Sequence, residues 1–398
     1  MKIGVLGGTF NPIHNGHIEM ARQALSMAGL DEVWIMPAKI PPHKDSRQVC
    51  SAAHRFYMCE LACKDLEGVV VSQFEFNSDH NNYTYQTLEK LRLEYPDHEF
   101  YFIMGQDSVE SFENWKNPQI ILNNATLLVF LRGSHYAEEK QRCLDTIDYL
   151  LKKFEGNIIS VDYEPDNCSS TEIRNAFYNN DKTFDFASKL SKDVYDYILT
   201  HRLYDKLEEY DIDSLKKELE QKLKPSRFLH CLGVAETAEH LAYKYGYPKD
   251  IAYVAGLLHD CAKYMSAKEL LSYAKEHDIE VLEGDIKAPH LLHAPVGAYM
   301  AKHVFGINDP EICHSILVHT TGCPNMSLLD KIIFVADYIE PNRDKAPRLD
   351  ELRKQSDYDI DKVIVMILED TISYIKSQGA FMDLRTLDTY NYYKGEKK

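Results

Sequence analysis

Five short apolar runs, at residues 3–6, 33–36, 69–71, 100–104 and 127–131, alternate with segments of helical periodicity. Strands that are apolar along their whole length, each followed by a helix, specify a parallel sheet covered on both faces. Beyond about residue 203 the strand-like runs stop. Leu215, Leu219 and Leu223 fall at i, i+4 and i+8, and the apolar stretches that follow keep helical spacing, so the second half is expected to be all-helical. A chain of 398 residues exceeds what one core usually supports. The boundary is placed in the acidic stretch 204–211, which gives domains at 1–205 and 206–398, and the tail 390–398 is expected to fray.

Composition narrows the partners. With 45 Lys plus Arg against 62 Asp plus Glu, the formal net charge of -17 argues against a broad footprint on nucleic acid. Small phosphate ligands need only local cations or helix N-termini and remain compatible with that charge. Nine cysteines, odd in number and without a C-x-x-C pair, read as reduced thiols, and no apolar run is long enough to span a membrane. A cytoplasmic protein is expected, with homo-oligomerisation left open.

The first motif is GGTFNPIHNGHI at residues 7–18, directly after the first strand. Gly7 and Gly8 permit a sharp turn and close approach to a ligand, and His14 and His17, at i and i+3, can share a face at the opening of a helix. The second is CSSTEIR at residues 168–174, where Ser169 precedes Glu172 by the three residues of a capping box, so a helix should begin near Ser170. Free N–H groups there, the hydroxyls of Ser170 and Thr171, and Arg174 one turn on form a set that can meet a polyphosphate.

Together these segments resemble bacterial nicotinate-nucleotide adenylyltransferases, within the Rossmann-like nucleotidyltransferases. The resemblance implies that Gly7, Gly8, Thr9, Phe10, His14, His17, Gly105, Asp107, Ser169, Ser170, Thr171 and Arg174 bind ATP with Mg2+. It also implies in-line attack of a mononucleotide phosphate on the ATP α-phosphorus, assisted by His14, His17, Lys44 and Arg174. PPHK (41–44), NYTYQTL (82–88), GQD (105–107) and Trp115 occur in the family's order. They imply an acceptor site for nicotinate mononucleotide built from Lys44, Thr84, Tyr85, Trp115 and Arg132; nicotinamide mononucleotide is the nearest rival acceptor. A core aromatic is the plainer reading of Trp115. Arg132-Gly133 departs from the family's Arg-Pro-Gly.

In the second half, LLHDCAK places His259 beside Asp260 at the end of an apolar helical run. His230 lies upstream, His319 ends SILVHT, and Asp337 interrupts KIIFVADYIEP, where an uncompensated carboxylate is costly. His230, His259-Asp260 and Asp337 in that order form the H…HD…D pattern of the HD superfamily. KPSRFLHCLGV, AGLLHDCAK, HAPVGA, ILVHTTG and MSLLDKIIFVADYIEPNR resemble the YqeK family of HD phosphohydrolases. That resemblance implies a second metal held by His293 and His319, with His290 competing for the place of His293 and Asp260 bridging. It further implies symmetrical hydrolysis of diadenosine tetraphosphate, a dinucleotide polyphosphate, to two ADP. Two divalent transition ions are expected, and nitrogen and oxygen donors suit Fe, Mn, Co, Ni or Zn alike. Lys263 and Arg343 are candidate phosphate contacts. The competing classes are a nucleotide-binding regulator for the first half and a nucleotide-sensing module for the second.

Overall fold

A computed structural model describes residues 1–39, 49–77, 83–132, 137–163 and 168–395, with backbone alone for Arg132 and Ala137. The chain forms two compact units, Met1–Leu199 with Leu203–Lys206, and Thr200–Arg202 with Leu207–Lys398.

The first unit is a six-stranded, wholly parallel sheet. Its strands are β1 (Lys2–Gly8), β2 (Glu32–Pro37), β3 (Val69–Val71), β4 (Glu99–Gly105), β5 (Thr126–Arg132) and β6 (Ile158–Tyr163), in the order β3-β2-β1-β4-β5-β6. β5 is an interior strand, between β4 and β6, covered on both faces, so Leu127 to Leu131 are all buried. β6 lies outside the five runs legible in sequence. As an edge strand it needs only one covered face: Val161 and Tyr163 are buried while Ser160 and Asp162, on the opposite face, are exposed. The order in which strands are added reverses between β1 and β4, and a parallel sheet of this order opens a ligand crevice at the carboxyl ends of those neighbouring strands.

The second unit is helical. Helix Pro225–Tyr245 opens on proline at its first turn and ends at Gly246 with φ 66°, the left-handed cap that glycine adopts without strain. It packs on helix Lys249–Leu258 so closely that a Cβ on Gly256 would stand 2.9 Å from the Ala235 Cα. Val234, Ala238, Leu241, Leu258, Ile316, Ile332 and Ile364 contribute to one buried cluster. Residues 390–394, expected to fray, instead complete helix Leu384–Lys394, because the Tyr393 hydroxyl accepts the Met326 N–H at 2.9 Å and Thr389 is buried. Among the described residues no helix is long and apolar enough to cross a membrane. All nine cysteines are free thiols.

Candidate functional sites

In the first unit the two polar motifs meet at the mouth of the crevice. His14 is the N-cap of helix Asn15–Ala28 and His17 its third residue, with ring centroids 3.8 Å apart. His14 is nearly buried. Burial, then the Lys189 charge, lowers its pKa from 6.5 to about 4, so the imidazole is neutral near pH 7. Its Nδ1 has no hydrogen-bond partner and lies 3.1 Å from where a Cβ on Gly16 would sit, so Gly16 leaves the ring its space.

Helix Ser170–Tyr178 begins where the capping pattern predicts, Ser169 Oγ accepting the Glu172 N–H at 3.1 Å. Two side chains tie it to the first motif: Ser170 Oγ donates to the Pro12 carbonyl and Arg174 Nη1 to the Asn11 carbonyl, each at 2.8 Å. Thr171 accepts Arg174 Nη2 at 3.2 Å. A cleft of about 620 Å³ is lined by His14, His17, Gly105, Asp107, Ser169 and Ser170. The neutral His14 imidazole, the serine hydroxyls and a helix N-terminus on that wall suit a polyphosphate, while Thr171 and Arg174 do not line the cleft and the carboxylates of Asp107 and Glu172 do.

Gly7, Gly8 and Thr9 line a neighbouring cavity of about 650 Å³ with Thr84 and Trp115. Trp115 is half-buried: it packs on the core, edge-on to Phe102 at 6.1 Å, and also lines that cavity. Phe10 is buried against His17 at 5.0 Å and lines neither cavity, and neither does Tyr85. Lys44, Asn82 and Gly133 lie outside the described residues, as does the Arg132 side chain.

Two residues that sequence reasoning passed over matter here. Arg55, fully buried on helix Ala52–Cys63, donates to the carbonyls of Thr9 (2.7 Å), Lys39 (3.1 Å) and Cys50 (3.2 Å), fixing the turn after β1. Glu75 lines the cavity that holds Thr84 and Trp115 and accepts from Thr87 Oγ1 at 2.8 Å; burial raises its pKa from 4.5 to about 7. Neither stands in a motif, so no local pattern marks them.

In the second unit six side chains from five segments converge. His230 projects from helix Pro225–Tyr245, His259 caps helix Lys249–Leu258 with Asp260 next to it, and His293 opens helix His293–His303. His319 caps helix Pro310–Val318, and Asp337 lies on helix Leu328–Ile339. His230 Nε2 stands 3.3 Å from His259 Nε2 and 3.1 Å from Asp337 Oδ1. His293 Nε2 stands 3.1 Å from both His319 Nε2 and Asp260 Oδ1. His290 contributes only its carbonyl, a partner of His293 Nδ1, so His293 occupies the cluster.

The donor set fits divalent metal. His259 Nδ1 faces the Gly256 carbonyl and His319 Nδ1 the Ile316 carbonyl, each at 2.7 Å. A carbonyl only accepts, so Nδ1 carries the proton and each Nε2 turns a lone pair into the cluster. Burial lowers the His259 pKa from 6.5 to about 4, keeping that ring neutral, and buried Asp260 Oδ1 lacks a hydrogen-bond donor. Converging lone pairs and a carboxylate repel one another unless cations lie among them. On the far side Glu340, fully buried, receives His230 Nδ1 at 3.1 Å and orients that ring.

Three cations border the cluster. Arg227 Nη1 reaches Asp260 Oδ2 at 2.7 Å, Arg343 Nη2 reaches Asp337 Oδ1 at 3.1 Å, and Lys263 Nζ lies 3.0 Å from His293 Nε2. Arg227 was not among the sequence candidates, although it stands one turn before His230.

Comparison with known proteins matches both halves. Residues 5–176 match the cytidylyltransferase-like family and residues 227–342 the HD domain family. The chain is 36% identical to a Carboxydothermus hydrogenoformans protein named "Probable nicotinate-nucleotide adenylyltransferase", over 51% of this chain and 98% of that one. It is 29% identical to a Mycoplasma genitalium protein named "Probable nicotinate-nucleotide adenylyltransferase/Ap4A hydrolase", over 86% of this chain and 88% of that one. A crystal structure of an HD superfamily hydrolase from Clostridium acetobutylicum is 38% identical, covering 48% of this chain and all of that one, with a TM-score of 0.46. The protein is therefore a nucleotidyltransferase-fold domain joined to an HD domain. Through its first half the chain belongs to the nicotinate-nucleotide adenylyltransferase family.

Proposed function

We propose that the chain is a bifunctional enzyme: residues 1–205 transfer adenylate from ATP to nicotinate mononucleotide, and residues 206–398 hydrolyse a dinucleotide polyphosphate, diadenosine tetraphosphate, symmetrically to two ADP. The observation that carries the first reading is the pair of adjoining cavities at the carboxyl end of β1, one edged by His14, His17 and Ser170, the other by Thr84 and Trp115. Such cavities suit a triphosphate beside a flat aromatic ring.

ATP enters as its Mg2+ complex. A phosphate oxygen of the mononucleotide attacks the α-phosphorus, the bond from that phosphorus to the bridging oxygen breaks, and pyrophosphate departs with the electron pair. No side chain is a nucleophile in this scheme; His14, His17 and Arg174 hold the phosphates in line and offset the growing negative charge. Trp115 stacks on the pyridine ring, and the backbone near Thr84 receives its carboxylate.

For the second reading, support comes from the four imidazoles and two carboxylates that converge in the helical unit. His230, His259, Asp260 and Asp337 would hold one cation, and Asp260, His293 and His319 a second. When bound, such a pair supplies Lewis acidity toward phosphate and lowers the pKa of water. Arg227, Lys263 and Arg343 then receive the polyphosphate, and two ADP result when water adds to the second phosphorus and the bond to the third phosphate breaks.

Incubating the purified chain with ATP and each of nicotinate mononucleotide, nicotinamide mononucleotide and phosphopantetheine tests the transferase reading. Pyrophosphate release with the first alone supports it; release with none supports a nucleotide-binding regulator. ADP as the sole product from diadenosine tetraphosphate supports the hydrolase reading, whereas AMP with ATP, or no turnover, overturns it.

A further inference from the structure

A second group of metal-type donors lies in the helical unit, apart from the six ligands above. His314, Cys323 and Asp330 each offer a donor atom within 4.8 Å of the others. His314 is exposed on helix Pro310–Val318, Cys323 is half-buried in the loop that follows, and Asp330 is buried in the first turn of helix Leu328–Ile339. His314 Nδ1 stands 3.0 Å from both Asp330 oxygens. Donors bound at about 2.0–2.1 Å to a common ion are themselves about 3 Å apart, so this pair already has the spacing of two ligands. Asp330 is also fixed by the chain: its Oδ2 accepts the Ser327 N–H at 2.9 Å and its N–H donates to Ser327 Oγ at 3.2 Å.

We propose that His314, Cys323 and Asp330 form a binding site for one zinc-class divalent ion, which clips the loop carrying Cys323 to the helix that ends at His319. One imidazole, one thiolate and one carboxylate make a borderline-soft set that favours zinc over magnesium or calcium. Binding converts the Cys323 S–H to a metal-bound thiolate and releases its proton to solvent. The proposal does not depend on the hydrolase reading, because the two clusters share no residue.

Sulfur makes the site separately visible. The six-residue cluster offers only nitrogen and oxygen, and its neighbour Cys261 directs Sγ to the Gly297 carbonyl at 3.5 Å. Full-length protein stripped by a chelator and titrated with Co2+ alone should therefore gain a near-ultraviolet thiolate-to-cobalt charge-transfer band. Cys323→Ser and His314→Ala should each abolish that band and lower bound cobalt by one ion per chain, while visible absorption from the six-residue cluster stays. Both positions reach solvent, so the variants should fold; Asp330 is avoided because its substitution also removes a helix cap. Absence of the band in the parent protein at saturating Co2+, or its survival in Cys323→Ser, overturns the proposal.

Discussion

Arg174 Nη1 donates to the carbonyl oxygen of Asn11 at 2.8 Å, across 163 residues of sequence. With Ser170 bound to Pro12 beside it, the helix carrying the second motif is fastened to the turn carrying the first. The guanidinium is thus held at the turn that leads into His14. Replacing Arg174 with alanine is expected to lower kcat for adenylyl transfer by about 10²–10³-fold, the usual loss for one preorganised charge-stabilising donor. Steady-state pyrophosphate assays check this, and dinucleotide hydrolysis by the same variant should be unchanged.

Glu75 supplies a pH test of the proposed acceptor site. Burial raises its pKa from 4.5 to about 7, so the fold favours the protonated acid; the stability it contributes is complete below 4.5 and is lost as pH rises through about 7. Ionisation there sets a negative charge beside an anionic mononucleotide. KM for nicotinate mononucleotide should rise by up to about tenfold as pH passes through that value, with kcat little altered. Glu75→Gln, which cannot ionise, should flatten the profile; an unchanged profile in that variant would place the titration elsewhere.

Glu340 is the anchor of His230, taking its Nδ1 at 3.1 Å through one oxygen and the Asn342 N–H at 2.6 Å through the other. Glu340→Gln keeps the volume and removes the charge. A loss of about 10–100-fold in metal affinity is expected, the range found when the partner of a ligating imidazole is changed. Competition against a chromophoric chelator measures it, and excess metal should restore hydrolysis.

The parts of this molecule legible in sequence are those where chemistry is local. A capping pattern around Ser169 located the start of a helix, and apolar runs located five of six strands. The histidines and aspartates of the helical unit stood out because charged and imidazole groups interrupt apolar helices, and the fold carries them to one point. Arg55, Glu75, Arg227 and Glu340 did not stand out, since each acts on partners that only tertiary folding brings near. The same holds for residues 390–394, whose helix depends on the hydrogen bond from Met326 to Tyr393. β6 escaped notice because an edge strand with one exposed face lacks the continuous apolar run of its neighbours.

Both proposed activities can be followed in one preparation of the Asp260→Ala variant, with nicotinate mononucleotide plus ATP in one assay and diadenosine tetraphosphate plus divalent metal in the other. Asp260 faces His293 and His319 at 3.1 and 3.6 Å and belongs to two of the donor groups. The account predicts adenylyl transfer at the parent rate and hydrolysis lowered by at least about 10³-fold. Hydrolysis that persists in the variant, or a parent protein unable to form deamido-NAD, would contradict it.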